Sequence, residues 1–383
     1  MKCRDMKIAM IGIYGGMERD FNPGNVLIAY YSKREIEKRL KFASIDIYSL
    51  DFSIHNITQK KCCFGETPFK MEITFFSTNK IDELCELFCA KYQAVVIGGD
   101  IVIGLSDVFF LNKLISQKKR PMILLNVVSS LWRSHLVSET QKSNLRRMAD
   151  SCEYISVREN YVKDLMKMCG VEKTINVIPD PVVLHQKGEW DTPEEVSNFI
   201  SELKKQGKKI VCISECFLHT RDMVEALIKS SVIKECTVLF FAYSRRYNHS
   251  NKAKEYKSIL NEHCCCFLDY LNPWAAYSMI ENINLCVSNA YHCCVAAITS
   301  GIPFIGIDPS PFESSRHTDI LCDKEQLEKS ILKVEVVNND HSGVSLQKYF
   351  EKYLKNELHF HFDLSQERQK VEEHFDQMCK IML

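Results

Sequence analysis

The chain has 383 residues, 46% of them hydrophobic and 26% charged. That length argues for two domains rather than one core, and the composition excludes disorder over most of it. Forty-nine basic residues balance forty-nine acidic ones, so no global field draws the chain to nucleic acid or to an anionic membrane.

The opening stretch MKCRDMKIAMIGIYGG lacks the length and cleavage pattern of a secretory signal, and no apolar run is long enough to cross a bilayer. A cytoplasmic protein without an integral membrane segment is expected, and a peripheral place at the inner face of the membrane is compatible with this. Residues 7–13 form an apolar run of strand length. The Gly-, Asn- and Pro-rich segment 14–25 follows as a loop, from which Asn25 is expected to cap a helix over about 26–40. The loop carries no G-x-G-x-x-G fingerprint. It either shapes a substrate pocket or is a solvated connection.

A short strand near 45–48 precedes a stretch without clear periodicity, 51–69, which reads as an excursion or lid. Residues 81–92 are helical, and 94–97 form an apolar strand closed by Gly98-Gly99-Asp100. Paired glycines at the carboxyl end of a strand let a ligand approach the backbone, and Asp100 can accept hydrogen bonds from hydroxyl groups.

A helix over about 107–117, a strand over 122–128 and a helix over 138–149 lead to the strand 154–157, which delivers Arg158 and Glu159. At that junction a guanidinium can grip a carboxylate or phosphate through parallel hydrogen bonds. It can equally form a structural ion pair with Glu159 or another acid. The helix 161–169 closes at Gly170, and the strand 175–178 ends at Pro179-Asp180-Pro181. The polar segment 186–209, with an amphipathic helix over about 193–205, marks a boundary between domains 1–185 and 186–360.

The second series runs through strands 210–214, 238–243 and 265–268 and helices 221–229, 251–262 and 273–281 to the stretch LCVSNAYHCCVAAITSGIPFIGI, residues 285–307. An apolar run ends there at Ser288, a lone imidazole follows at His292, a small-residue helix stops at Gly301, and Pro303 leads into another apolar run. In a parallel sheet this strand, turn, helix and strand place Ser288, Asn289, Tyr291 and His292 beyond the carboxyl ends of the strands. They also sit at a helix N-terminus, where backbone N–H groups and the helix dipole favour an anion. The plain alternative is a histidine hydrogen-bonded within an ordinary turn. Helices near 324–332 and 346–355 finish the domain. A charged helix over 364–382, within 361–383, is expected to cross back to the first domain. Strands alternating with helices in both halves give an α/β fold of two doubly wound, Rossmann-like domains whose strand ends face one cleft.

Eighteen cysteines are scattered through these patterns with no C-x-x-C pair. They read as small buried apolar residues of a reducing compartment, although Cys85 with Cys89, or His263 before Cys264-Cys265-Cys266, has spacing that a metal could use. No acid cluster with ligand spacing appears, and no metal is expected.

Four motifs occur in order: Asn22-Pro23-Gly24-Asn25; Gly98-Gly99-Asp100; Ser156-Val157-Arg158-Glu159 with Gly170-Val171 and Asp180-Pro181-Val182; and Asn289-Ala290-Tyr291-His292 with Gly301-Ile302-Pro303. In this the chain resembles, from about residue 7 to 310, the polysaccharide pyruvyl transferase family, whose two-domain architecture is like that of GT-B glycosyltransferases. The resemblance implies transfer of a pyruvyl group from phosphoenolpyruvate, a co-substrate with no further cofactor, to two sugar hydroxyls. The product would be a cyclic ketal on a surface glycan or its lipid-linked precursor.

It also implies that His292 is the general acid or base and that Arg158 holds charge on the anionic donor. Ser288, Asn289 and Tyr291 would line the donor turn, while Asn22, Gly24, Asn25, Gly98, Gly99 and Asp100 would serve the acceptor. Ala290 stands where the family has an arginine, which leaves Arg316, Arg245 or Arg246 to supply that charge. A GT-B glycosyltransferase using a nucleotide sugar, with Asp308 or Glu313 on a hydroxyl, and a catalytically silent binding homologue are the alternatives.

Overall fold

The computed structural model describes residues 6–13, 23–51, 60–64, 71–77, 80–99, 113–117, 121–127, 138–214, 235–241, 265–268, 273–288, 290–308, 320, 331–333, 342–357 and 362–383. The chain divides into two compact units. The first comprises Met1–Glu18, Gly24–Pro181 and Ser365–Leu383, and the second Arg19–Pro23 and Val182–Leu364.

The first unit is built on strand β1 (Met6–Ile13), whose Ile8, Ala9, Met10 and Ile11 are all buried. Such a continuous apolar run is what a strand covered on both faces requires. Helix α1 (Pro23–Arg39) follows. Proline opens it, because at the first helical position the missing N–H costs nothing. Asn25 therefore lies within the first turn and does not cap the helix as expected, and Lys38 and Arg39 in the last turn suit the helix dipole.

Strand β2 (Ala43–Asp51) precedes β3 (Lys60–Phe64) and β4 (Met71–Ser77). β3 pairs antiparallel with β4, which pairs parallel with β2. The stretch expected to be an excursion or lid thus contributes an edge strand. Its pairs Lys60-Lys61 and Cys62-Cys63 break the polar/apolar alternation by which a strand is recognised.

Helix α2 (Ile81–Lys91), β5 (Ala94–Gly99), β6 (Met122–Val127), α3 (Glu139–Ser151), β7 (Tyr154–Val157), α4 (Asn160–Met168) and β8 (Asn176–Val177) complete an eight-stranded sheet of order β3-β4-β2-β1-β5-β6-β7-β8. Seven of the strands run parallel. The order reverses between β1 and β5, the topological switch point at which open sheets of this kind bind ligands. Phe88 of α2 is fully buried, with its ring 5.1 Å from Tyr48 and 5.4 Å from Tyr92. Burying such a side chain contributes about 1.5–3 kcal/mol. The C-terminal helix Ser365–Met382 packs within this unit through Phe375, a bond from Arg39 Nε to Asp376 Oδ1 of 2.5 Å, and a Tyr154 hydroxyl to His374 Nδ1 contact of 2.9 Å.

The second unit contains α5 (Glu194–Lys205), β9 (Lys209–Ser214), β10 (Cys236–Phe241), β11 (Cys265–Leu268), α6 (Pro273–Ile280), β12 (Leu285–Ser288), α7 (Tyr291–Thr299), β13 (Phe304–Asp308), β14 (Ile331–Lys333) and α8 (Ser342–Leu354). Its sheet, β11-β10-β9-β12-β13-β14, is parallel throughout and places its switch point between β9 and β12. All eight residues of α6 and all nine of α7 are buried, as expected of helices that are apolar around their whole circumference. Ile331 and Leu332, expected to end a helix over 324–332, belong instead to β14. Residues 321–330, and the helices expected over 221–229 and 251–262, lie outside the described residues, as does 107–112 of the helix expected over 107–117.

Among the described residues no helix is long and apolar enough to cross a membrane, and no group of His, Cys, Asp and Glu side chains could hold a metal ion. The ten cysteines whose side chains are described are free thiols. Nine of them, Cys85 and Cys293 included, are buried.

Candidate functional site

In the second unit the site grows from the end of β12. Ser288 Oγ accepts the Ala290 N–H at 2.9 Å, folding the chain back on itself. Ala290 is extended, with φ −74° and ψ 113°, and caps α7 through its carbonyl, which accepts the Cys293 N–H at 3.0 Å and the Cys294 N–H at 3.3 Å. Its methyl side chain adds no cap of its own. His292 is thereby the second residue of α7, 6% exposed, with its ring 5.0 Å from that of Tyr291 and nearly perpendicular to it. The first-turn amides and the positive end of the helix dipole make this an anion-favouring position.

This turn stands at the switch point of its sheet. β9 and β12 are neighbours, and Ser214 and Ser288 each come one residue beyond the registered pair Ile213 and Val287. Cys293 Sγ donates to Ser214 Oγ at 3.3 Å, and Cys294 Sγ to the Ser288 carbonyl at 3.7 Å. Burial pushes the Cys293 thiol up to about 12, although its bonds to Ser214 and Ser288 oppose the shift. It is therefore a neutral donor that anchors the turn, not a thiolate nucleophile. Ser214 went unnoticed in the sequence. Its one signal is its place as the last residue of a strand, level with Ser288.

At the switch point of the first unit, Gly12 of β1 registers with Gly98 of β5, and Ile13 with Gly99. The row continues through Asn126 and Ser156, with Ser156 Oγ donating to Asn126 Oδ1 at 3.0 Å. Ser156 opens the motif that runs to Glu159, whereas its buried partner Asn126 was missed, because it interrupts an apolar run without forming a recognisable motif. Gly24 and Asn25 lie in the first turn of α1. Asn22, Asp100, Asn289 and Arg316 lie outside the described residues, as do Arg245, Arg246 and Glu313. Asp308 ends β13 opposite Lys333.

Arg158 is 4% exposed and engages two acids. Its Nη2 is 2.8 Å from Glu159 Oε1, and its Nη1 is 3.2 Å from Asp180 Oδ2. The ion pair with Glu159 is thus formed, and Asp180, 22 residues away, joins it. Three of its five N–H groups are thereby directed at buried carboxylates, two at Glu159 and one at Asp180. The structure groups Ser288, Tyr291 and His292 on one turn, Gly98 and Gly99 at a strand end, and Arg158 with Glu159 and Asp180.

The profile of the polysaccharide pyruvyl transferase family matches residues 22–311. The chain belongs to the polysaccharide pyruvyl transferase family. No curated protein sequence matches it. Solved structures share its fold. UDP-GlcNAc 2-epimerase from Methanocaldococcus jannaschii, in complex with UDP-GlcNAc and UDP, is 14% identical, with 98% of this chain and 99% of that one covered and a TM-score of 0.61. The epimerase from Neisseria meningitidis bound to UDP-GlcNAc is 10% identical, with coverage of 98% and 99% and a TM-score of 0.56. Sucrose-phosphate synthase from Thermosynechococcus elongatus is 11% identical, with coverage of 97% and 99% and a TM-score of 0.55. This member of the polysaccharide pyruvyl transferase family is accordingly a glycan-modifying transferase of GT-B-like fold. The family match takes in both strand ends, Arg158 and His292 and stops short of Arg316.

Proposed function

We infer that the chain transfers a pyruvyl group from phosphoenolpyruvate to two hydroxyls of a sugar, forming a cyclic ketal. The observation that carries this reading is His292, in the first turn of α7 just beyond the carboxyl end of β12. The first sugar hydroxyl adds through oxygen to the donor's central carbon while the methylene carbon gains a proton. The second hydroxyl then displaces phosphate from the same carbon, and both hydroxyl protons are accounted for by the new methyl group and the released phosphate. An imidazole can mediate such proton transfers near neutral pH. The amides of the helix N-terminus suit the donor's carboxylate or phosphate.

On this reading the second unit takes the donor and the first takes the acceptor, at Gly98 and Gly99. Asn22, Gly24, Asn25 and Asp100 belong to the same acceptor side. Arg316, Arg245 or Arg246 supplies the cation that Ala290 does not. Arg158 supports the site indirectly, by fixing the end of β7 to Asp180. The acceptor is a glycan or its lipid-linked precursor, and the reaction is cytoplasmic, at the inner face of the membrane when the acceptor is lipid-linked.

Ala290 favours a second reading, a transferase using a nucleotide sugar, since epimerases of similar fold are solved with UDP-GlcNAc. Thermal shift against phosphoenolpyruvate and UDP-GlcNAc separates the two, because a ligand of the native state raises stability by mass action. Phosphoenolpyruvate should raise the Tm, more so in Ala290→Arg, and His292→Ala should abolish turnover with the fold intact. A response to UDP-GlcNAc alone would overturn the pyruvyl reading, and undiminished turnover in His292→Ala would remove the histidine from the chemistry.

A further inference from the structure

The segment that leaves Pro181 begins as a short 3₁₀ helix, Pro181–Leu184, and then carries His185 into the interior of the second unit, where it is 0% exposed. Three aliphatic residues, Val182, Val183 and Leu184, precede it. An imidazole buried directly after such a run requires polar partners of its own.

It has two. His185 Nε2 lies 2.7 Å from Glu281 Oε1, and Nδ1 lies 3.4 Å from Glu189 Oε2. Glu281 directly follows α6, and its other oxygen accepts the Gly188 N–H at 3.1 Å. Gly188 adopts a φ of +76°, which permits the turn that brings this amide round. Aromatic rings close the remaining sides. Trp190 lies 4.5 Å from the imidazole at 32°, Tyr277 of α6 meets it edge-on at 5.0 Å, and Trp274 packs on Trp190 at 6.0 Å. Among the described residues, the charged and titratable groups against the ring are Glu189 from its own turn and Glu281 and Tyr277 from the α6 side. At the same end of α6, α5 contributes Lys204, which donates to Asn282 Oδ1 at 3.3 Å.

A neutral imidazole has one N–H and can donate to only one of these carboxylates, whereas an imidazolium donates to both. We propose that His185 is a pH-sensitive latch: protonated, it bridges Glu281 and Glu189 and fastens segment 185–190 to the end of α6, and loss of its proton releases that segment. Burial, the largest single influence, would lower its pKa. The hydrogen bonds and charges of Glu189 and Glu281 together outweigh burial and hold the pKa above the ordinary value of 6.5. The sign follows from linkage. A histidine raised on folding contributes stability that is complete below its unfolded value and is lost as pH rises through the folded one. The latch is therefore closed in mild acid and opens on the alkaline side. It operates independently of the reaction proposed above.

The full chain labelled with [13Cε1]-histidine tests this. His185 is assigned by the loss of its signal in His185→Gln or, should that variant not fold, by its shift in Glu189→Gln. Its titration midpoint should lie above 6.5 and fall in Glu281→Gln. The same samples are exposed to trypsin, whose rate is normalised on an unfolded substrate. Cleavage after Lys187, which is exposed on the latched turn, should accelerate about fivefold across the midpoint, because local opening governs such cleavage. In Glu281→Gln it should be fast on both sides. A wild-type midpoint at or below 6.5, or an equal normalised cleavage rate on either side of it, would overturn the proposal.

Discussion

Arg158→Met removes the guanidinium from the buried cluster at the end of β7 while keeping most of the aliphatic stem. Glu159 and Asp180, 2% and 1% exposed, then lie side by side without the cation that each meets at 2.8 and 3.2 Å. Removing one partner of a buried ion pair costs about 3–5 kcal/mol, because the survivor stays buried and uncompensated. Two carboxylates lose one shared cation here, which places the expectation in the upper half of that range, ~4–5 kcal/mol. Against a total stability of about 5–15 kcal/mol, the first unit would be close to unfolding. Urea unfolding at pH 7 followed by far-UV circular dichroism, with a separate transition fitted to each unit, measures the loss. Replacing both acids in the same background, Glu159→Gln with Asp180→Asn, should recover most of it, because two amides can remain buried at far smaller cost than two charges. A loss below about 1 kcal/mol, together with loss of the thermal response to phosphoenolpyruvate, would refute the reasoning and return Arg158 to the donor.

Two further predictions concern other parts of the first unit. Burial, with Arg39 nearby, pushes His374 down to about 3, so its stabilising effect is complete above pH 6.5 and lost as pH falls from there toward 3. The wild-type unfolding midpoint should therefore drop more steeply over that range than that of His374→Phe, and parallel curves would contradict this. Gly170 sits at a φ of +84°, where an added Cβ would come 3.1 Å from Arg146 Nη1. Gly170→Ala should cost about 1–2 kcal/mol in chemical denaturation, and an unchanged midpoint would remove this glycine from its capping role.

Much of the fold was legible because local rules govern it. Short apolar runs, helix-length amphipathic stretches and glycine stops repeat through both halves. Gly170 and Gly301 close α4 and α7 with the positive φ that their positions require. Of the edge strands, β8 and β11 were legible, and β3 and β14 were not. β3 carries paired lysines and cysteines, and its pairing with β4 is a long-range event that short periodicity does not report. Helix α1 starts three residues earlier than expected, because Pro23 at the first helical position competed with Asn25 as a cap and prevailed.

The site divides in the same way. His292 with Ser288 and Tyr291, and the glycines of β5, could be found from sequence because a strand end and the following helix start are adjacent in the chain. Ser214 with Cys293, Asn126 with Ser156, Arg158 with Asp180, and His185 with Glu281 are separated by 79, 30, 22 and 96 residues. A side chain's partner at such distances depends on the strand order of the finished sheet and on which helix lies beside it. Sequence by itself determined the alternating α/β architecture, the family, and the turn bearing the histidine, all of which follow from local periodicity and short motifs. Only the tertiary structure decided that Arg158 is neutralised by two buried acids, that Cys293 is a buried donor, and that His185 is gripped between carboxylates. Burial and proximity set the charge and hydrogen-bonding state of a side chain, and the linear order of residues specifies neither.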